Sequence, residues 1–418
     1  MLFFLWLGAL SWLVTRIRFF RTSGLGAAQL VVLFQLKVIA GIFYGWIGLY
    51  YGGYAQMQDT WVYHMAGLQE YELLRSDPAE YFANLFRDPY GGDYGNFFGG
   101  HASYWNDLKG NGLIKLFSLM NPLSFGHYYV NVIFYSVLTL WGAVALYRVM
   151  RHAFPEAKGA VLSSTFLLPS FLYWTSGLHK EGMIFNGIAL VVYCMYFGTV
   201  QGRWGWKRVV GLFTGLLILL VLRNVLFLLV IPALLAWWLA WRRPLHGRTI
   251  FASIYLACTV AFFTAPLVSP KLNLPQAVVN RQQDFLKLKP GRSNVIVKEL
   301  EPNAVSFLKH TPQALRLSIL RPHPTDVKHL LSLAASLEIT LILLFFLLFL
   351  FWNKRPGTPA QPLLWFCLFY SFSVLMAIGF TSNNLGAVVR YRSVVLPLLI
   401  IPLAARFDWS RIGRIFKY

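Results

Sequence analysis

Long apolar runs alternate with short polar segments along this chain. The apolar runs lie near residues 2–15, 27–51, 128–147, 159–175, 182–198, 208–222, 224–241, 249–268, 331–352, 362–380 and 392–405. A helix needs roughly 20 apolar residues, or slightly fewer, to cross the hydrocarbon core of a bilayer. The pattern therefore predicts an all-α polytopic membrane protein with about eleven transmembrane helices.

Two long polar segments, 54–127 and 269–330, interrupt this alternation. We interpret residues 1–418 as a single integral-membrane domain with these segments as its first and second extracytoplasmic loops. The first loop carries an apolar stripe at helical spacing, formed by Trp61, Val62, Met65 and Leu68. Such a stripe is typical of a helix that lies in the membrane interface, and we expect His64 on this helix to be an interfacial side chain. Residues 88–101 follow with the glycine and Asp-Pro pattern of a folded, turn-rich loop.

The second loop contains a further candidate interfacial helix. Residues 302–320 combine apolar and basic positions, and the Arg321-Pro322 pair that follows predicts the end of the helix.

Basic residues predict the orientation of the chain. They concentrate in the segments 16–21, 148–158, 203–208, 242–248, 353–355 and 406–417. All of these fall on one side if the N-terminus is outside, as the positive-inside rule requires. Residues 2–15 lack the leading charge and the cleavage site of a signal peptide, so we interpret them as a short span or interfacial helix. The prediction is a multi-pass plasma (inner) membrane protein, of bacterial type, with a cytoplasmic C-terminus.

Composition supports the membrane class and excludes others. Hydrophobic residues make up 57% and charged residues 13% of the chain, whereas soluble domains carry about 25% charged residues. The net charge of +21 would suggest nucleic acid in a soluble protein, but the basic loops account for it, so we expect no nucleic-acid partner. Cys194, Cys258 and Cys367 each lie in an apolar run and are predicted to be buried free thiols.

Three groups of ionisable residues fall on the predicted non-cytoplasmic side. Asp59 opens the first loop, where it is either a helix N-cap or a general base that activates an acceptor hydroxyl. His179, Lys180 and Glu181 share a short turn between apolar runs. They form either a solvated hairpin or a site in which His179 and Lys180 bind substrate, Lys180 through a phosphate, and Glu181 is a catalytic candidate that contacts an acceptor or a metal.

Arg390 and Arg392 flank Tyr391 just before the last apolar run, and Arg223 separates two earlier ones. Arginine is uncommon in outer loops, and a pair of guanidinium groups can hold a phosphate or a lipid headgroup. Glu338 lies within the run 331–352 and is a functional candidate by default, with Lys37 as a candidate partner.

The segments QMQDTWVYHMAG, PSFLYWTSGLHKEG and VVRYRSVVLPLLIIP together resemble those of GT-C superfamily integral-membrane glycosyltransferases. The resemblance implies a GT-C-like fold whose first-loop acid is catalytic, which is Asp59 here. It implies a polyprenyl-phosphate sugar donor, with Arg390 and Arg392 near the lipid phosphate and Lys180 and Glu181 in a polar second turn. This chain has one acid where the commoner pattern has an acidic pair or DxD, so no residue is assigned to a metal, although a divalent metal stays possible.

The leading hypothesis is therefore an enzyme that transfers a sugar from a polyprenyl-phosphate carrier to a glycan, lipid or protein acceptor of the cell envelope. One alternative is a polysaccharide polymerase or ligase that uses a lipid-diphosphate donor. Another is a lipid-carrier flippase or transporter, which would place charged residues near the bilayer midplane and break helices in matched halves.

Overall fold

The computed structural model describes residues 1–51, 59–85, 104–243, 246–288, 291–353 and 361–411. Within these ranges the chain is α-helical with short 3₁₀ and π turns, and it contains no β-strand beyond two isolated bridges. The predicted all-α class is confirmed.

The helices follow one another through the described ranges. They are α1 (Leu2–Arg16), α2 (Arg18–Arg21), α3 (Ala27–Tyr50), α4 (Asp59–Ser76), α5 (Pro78–Ala83), α6 (Tyr104–Ser118), α7 (Asn121–Ser124), α8 (Tyr128–Ala153), α9 (Lys158–Phe166), α10 (Pro169–Ser176), α11 (Lys180–Val200), α12 (Trp206–Leu222), α13 (Asn224–Arg242), α14 (Gly247–Val268), α15 (Leu274–Lys287), α16 (Ala304–Leu315), α17 (Leu330–Phe351), α18 (Gln361–Thr381), α19 (Leu385–Ser393) and α20 (Leu396–Arg406).

Seven helices in the described part of the chain are long and apolar enough to cross a membrane, namely α3, α8, α11, α13, α14, α17 and α18. The pair α19 and α20, bent by 61°, would form an eighth span. The chain therefore has the helices of a polytopic membrane protein. Two of the other predicted spans are shorter helices, since α1 has 15 residues and α12 has 17.

Two apolar segments that the sequence presents as single helices are broken. The segment 159–175 divides into α9 and α10, with Leu167 and Leu168 between them. Pro169 opens α10, and proline disfavours helical geometry at the preceding residue and cannot donate a backbone hydrogen bond. The segment 392–405 begins inside α19 and bends before α20, where Pro397 occupies the first turn. At both places the structure has two helices where the sequence has one apolar run.

The loop helices match the predicted interfacial helices in part. On α4, Val62 and Met65 are exposed, as a membrane-interface helix requires, but Trp61 packs against Tyr128 and His64 is buried. We expected His64 to be an interfacial side chain, and this was wrong because α4 packs against the bundle. Residues 88–101, predicted to form a folded loop, lie outside the described residues.

In the second loop, α16 exposes Val305 and Leu308, the apolar surface predicted for an interfacial helix. It continues as a π-helical turn, Arg316–Leu320, which ends before the Arg321-Pro322 pair as predicted.

The three cysteines are free thiols, and Cys194 and Cys367 are buried as predicted. Cys258 is exposed, contrary to the prediction. It lies on α14, of whose apolar window only 6% is buried. A weakly polar thiol is compatible with such a lipid-facing helix surface.

The described residues fall into two compact units, each formed from three stretches of chain. Unit 1 comprises Met1–Arg148, Leu172–Cys194 and Trp206–Val225, and unit 2 comprises Val149–Phe171, Met195–Gly205 and Leu226–Tyr418. Unit 1 has a core in which aromatic and aliphatic side chains of α6 and α8 pack together with Leu178. Unit 2 has its own core around α15, α16 and α18. The prediction of a single domain over 1–418 stays a prediction.

Candidate functional site

In unit 1, two carboxylates lie on opposite sides of one imidazole ring. Nε2 of His179 is 3.4 Å from Oδ2 of Asp59, and Nδ1 of His179 is hydrogen-bonded to Oε2 of Glu181. The side chains of His179 and Glu181 are fully buried, whereas that of Asp59 is 48% exposed. This Asp59–His179–Glu181 triad therefore leads from an accessible carboxylate to a buried one.

The position of Asp59 follows from the contacts of the two residues after it. The hydroxyl of Thr60 lies 2.7 Å from that of Tyr128, at the start of α8. The indole of Trp61 donates to the carbonyl of Gly45 at 2.8 Å and stacks on Tyr128 with ring centroids 4.0 Å apart. The first turn of α4 is thus held between the last turns of α3 and the first turn of α8. Asp59 therefore lies near the ends of two candidate membrane spans.

Arg223 joins the same group from α12. Its Nη2 lies 3.4 Å from Oε1 of Glu181. The two helices approach closely because Gly187 on α11 faces Gly215 on α12, where a Cβ on either glycine would meet the carbonyl of the other. Small residues allow such close packing of membrane helices. The contact brings the residue after α12 to the first turn of α11.

Four segments that are distant in sequence therefore meet at one level of unit 1. We call this level the Asp59 face: α3 and α12 end there, and α8 and α11 begin there. The sequence predicted that Asp59, the His179 turn and Arg223 share a membrane face, and their contacts bring them together. That this face is the non-cytoplasmic one stays a prediction.

The triad can hold or pass a proton. A neutral imidazole donates through one nitrogen and accepts through the other, whereas the protonated ring donates through both. With carboxylates at both nitrogens, His179 can donate to Asp59 only if it takes up a second proton or releases the one shared with Glu181. The formal charges of Arg223 and of a protonated His179 would balance those of the two carboxylates. The arrangement suits acid–base chemistry at Asp59, the exposed end.

The burial of His179 and Glu181 changes two of the predicted roles. His179 was expected to bind substrate, and Glu181 to contact an acceptor or a metal. Neither side chain has exposed surface, so direct contact with a substrate is disfavoured. The contacts instead indicate that Glu181 orients His179 through a hydrogen bond and that His179 faces Asp59 at ion-pair distance. Lys180, at the first position of α11, is partly exposed and remains a candidate for phosphate.

Within the described ranges, no group of three or more His, Cys, Asp and Glu side chains is arranged to hold a metal ion. In the triad the reason is geometric. The imidazole lies between the two carboxylates, so that its nitrogens point in opposite directions instead of converging with the oxygens on one point.

Lys37 and Glu338 each have hydrogen-bond partners within their own unit, and pairing of the two stays a prediction. Nζ of Lys37 donates to the carbonyl and hydroxyl of Thr175 and to the hydroxyl of Ser176 within unit 1. In unit 2, Oε1 of Glu338 accepts the backbone N–H of Ser170 at 3.0 Å. Glu338 thereby satisfies a donor in the first turn of α10 that has no partner within its own helix.

Arg392 is buried in unit 2. Its Nη1 donates to the carbonyls of Ser318 and Arg321, each at 2.9 Å. Arg390 and Tyr391 are partly exposed, and the guanidinium of Arg390 lies 5.8 Å from the ring centroid of Tyr391. The expected pair of equivalent phosphate-binding arginines is therefore not observed. Arg392 has a structural role, because its guanidinium donates to backbone carbonyls at the π-helical turn. Arg390 is the more accessible candidate for binding phosphate.

Sequence patterns did not identify several polar residues that support the triad or lie near it. The hydroxyl of Tyr135 donates to the backbone carbonyl of His179. A buried network also joins His64, Asn131 and Asn121, with 2.7 Å between the two asparagine side chains. Burial lowers the pKa of His64 below its ordinary value of 6.5, although a hydrogen bond with the backbone of Gly126 opposes the shift. For Asn131 and Tyr135, the available signal was a polar residue inside the apolar run 128–147.

No family model matches the chain, and no curated protein and no solved structure is significantly similar to it.

Proposed function

We propose that this protein is a membrane-embedded glycosyltransferase that uses a polyprenyl-phosphate sugar as its donor and Asp59 as its base. The observation that carries the proposal is the Asp59–His179–Glu181 triad, in which a half-exposed carboxylate lies 3.4 Å from a fully buried imidazole at the ends of candidate membrane spans. Ionisable residues in such places are costly, and by default they indicate function.

The proposed reaction requires one base and one group that stabilises phosphate charge. Asp59 accepts the proton of the acceptor hydroxyl as its oxygen attacks the anomeric carbon. The bond from that carbon to the phosphate oxygen breaks, and the electron pair leaves with the polyprenyl phosphate. Inversion at the anomeric carbon follows from this single displacement. A positioned general base contributes about 10²–10⁴ in rate.

Lys180 and the N-terminal end of α11 support the phosphate part of the proposal. Lys180 is the first residue of α11, a 21-residue helix whose N-terminal, partially positive end lies at the Asp59 face. Backbone N–H groups and a cation at a helix N-terminus favour a phosphate charge. The rings of Trp61 and Tyr63, both close to Asp59 in sequence, offer aromatic surface for a sugar. Tyr63 lies against His179 with ring centroids 5.6 Å apart.

The test compares two carboxylate variants in the first loop. Asp59→Asn keeps the shape of the side chain and removes the base. Asp77→Asn is the matched control, because Asp77 caps α5 through the N–H of Glu80 and Asn caps about as well as Asp. With purified protein and a panel of short-chain polyprenyl-phosphate sugars, Asp59→Asn should lower transfer by about 10²–10⁴ while Asp77→Asn stays near wild type.

Thermal unfolding of both variants must accompany the transfer assay. The proposal expects Asp59→Asn to unfold near the wild-type temperature. Full transfer by Asp59→Asn, or no transfer by the wild type from any polyprenyl-phosphate sugar, would contradict it. Polyprenyl-diphosphate sugars in the same panel test the alternative of a polymerase or ligase, which predicts that only the diphosphates are used.

The proposal also requires that the Asp59 face is extracytoplasmic. Reporter fusions after Lys158, Lys298 and Tyr418 are expected to read inside, outside and inside, because basic loops are retained in the cytoplasm. A cytoplasmic signal at Lys298 would exclude a donor presented in the outer leaflet.

A transporter is the second candidate, and one observation in unit 2 favours it. Two broken segments, α9 with α10 and α19 with α20, lie in the chain, and α9 packs against α20. Buried Glu338 and Arg392 lie on candidate spans of the same unit. Transporters use broken helices and midplane charges at their binding sites. Transbilayer movement of a fluorescent polyprenyl phosphate in proteoliposomes, unaffected by Asp59→Asn, would support this function over transfer.

A further inference from the structure

Lys37 is a lysine buried inside a candidate membrane span. It lies near the middle of α3, and its side chain is 4% exposed. A buried ammonium group is costly unless each of its N–H groups has an acceptor. The proposed function of the triad does not use this residue, so its place inside the span needs another explanation.

The three acceptors of Lys37 belong to the end of one short helix. Nζ lies 2.8 Å from the carbonyl oxygen of Thr175, 3.1 Å from the Thr175 hydroxyl and 3.3 Å from the Ser176 hydroxyl. Ser176 is the last residue of α10. The final carbonyls of a helix have no partner within it and carry partial negative charge, so a cation stabilises them. Lys37 therefore acts as a C-terminal cap supplied by another helix.

The capped end leads directly into the triad. Gly177 and Leu178 connect Ser176 to His179. The ring of Tyr44, two turns after Lys37 on α3, fills the space that a side chain at position 177 would need. From the other side, the hydroxyl of Tyr135 on α8 donates to the carbonyl of His179. The turn is thus held from α3 at its start and from α8 at its end.

We infer that Lys37 is a positioning residue for His179. By fixing the last turn of α10, it holds the three-residue connection at the depth where the imidazole meets both Asp59 and Glu181. This inference rests on the proposed function only for its effect on catalysis, since the position of the imidazole can be measured without any substrate.

Lys37→Met removes the donor and keeps the length of the side chain. The matched control is Lys115→Met, a second buried lysine of unit 1, which bonds to Glu70 on α4 and to the carbonyl of Tyr81 on α5. Both variants lose a buried cation, and both are expected to lower the unfolding temperature. Only the first should change the environment of His179.

The readout is the rate at which diethylpyrocarbonate modifies individual histidines of the full-length protein in detergent, followed by mass spectrometry. His179 and His64 are both buried in unit 1, so both are protected in the wild type. In Lys37→Met the modification rate of His179 should rise at least about tenfold while that of His64 stays unchanged, because only the turn after α10 loses its anchor. Lys37→Arg, which restores a cation and donors, should return most of the protection.

Equal rises at His179 and His64, or a rise at His179 in Lys115→Met as well, would mean general loosening and would overturn the inference. If Lys37→Met does not fold, Thr175→Val combined with Ser176→Ala removes two of the three acceptors and takes its place in the same assay. In the transfer assay, Lys37→Met should lower kcat more than it changes KM. If Lys37→Met selectively exposes His179 but the wild-type protein shows no transferase activity, the positioning role of Lys37 is supported and only the proposed function is contradicted.

Discussion

Nη2 of Arg223 lies 3.4 Å from Oε1 of Glu181, which joins the residue after α12 to the first turn of α11. Arg223→Gln should lower the free energy of unfolding by roughly 1–3 kcal/mol, because the fully buried Glu181 loses a charged donor. Arg281→Gln is the control, since the Arg281–Asp284 pair is exposed and 3.9 Å apart, and such pairs contribute about 0–1 kcal/mol. Equal losses in denaturant titrations of the two variants would contradict the prediction.

Glu338 provides a test that separates a hydrogen bond from a charge. Glu338→Gln keeps an acceptor for the N–H of Ser170 and should have a small effect on stability. Glu338→Ala leaves that buried donor without an acceptor, at a cost of about 1–3 kcal/mol in the free energy of unfolding. Thermal unfolding of both variants checks the difference. If Gln is as damaging as Ala, the negative charge of Glu338 near Arg392 matters more than the bond to Ser170.

The two arginines of α19 should respond differently to substitution. Arg392→Gln loses the guanidinium that bonds two backbone carbonyls and should lower the free energy of unfolding by roughly 1–3 kcal/mol. Arg390→Gln changes a partly exposed side chain and should stay within about 0.5 kcal/mol of wild type. The reverse order of effects on stability would show that Arg390 is the structural residue.

His64 predicts a dependence of stability on pH. Its pKa is lowered in the folded protein, so folding favours the neutral ring. The contribution is complete above the ordinary pKa of 6.5 and is lost as the pH falls below that value, where the unfolded chain binds the proton more readily. His64→Gln should therefore flatten the fall in unfolding temperature between about pH 7.5 and 5.5. His246→Gln, at an exposed histidine, should leave the slope unchanged.

The sequence predicted the all-helical membrane class and the residues that meet at the Asp59 face. Long apolar runs indicate membrane helices, and the few charged residues between or within them are clear candidates for a functional site. Neither pattern reports which helices pack together. The acceptors of Lys37 on α10 and the contact of Tyr135 with His179 depend on that packing, and hydropathy does not encode it.

Burial was the other property that the sequence did not predict. The turn at His179 resembles a solvated hairpin in sequence, but both His179 and Glu181 are enclosed, because α3 and α8 cover the turn and Arg223 reaches it from α12. Arg392 was expected to be accessible for the same reason, that it adjoins a polar turn. It is buried because the carbonyls near the π-helical turn need a donor, and a sequence alone does not show an unsatisfied carbonyl.

The polar residues at the Asp59 face come from three separate stretches of chain in unit 1, so they are synthesised at different times. During synthesis Asp59 is made first, His179 and Glu181 emerge much later, and Arg223 is the last of the four. Until α12 packs beside α11, Glu181 can bond to His179 but lacks the charged donor of Arg223. Unit 1 therefore completes its polar centre only when residues up to 225 are available.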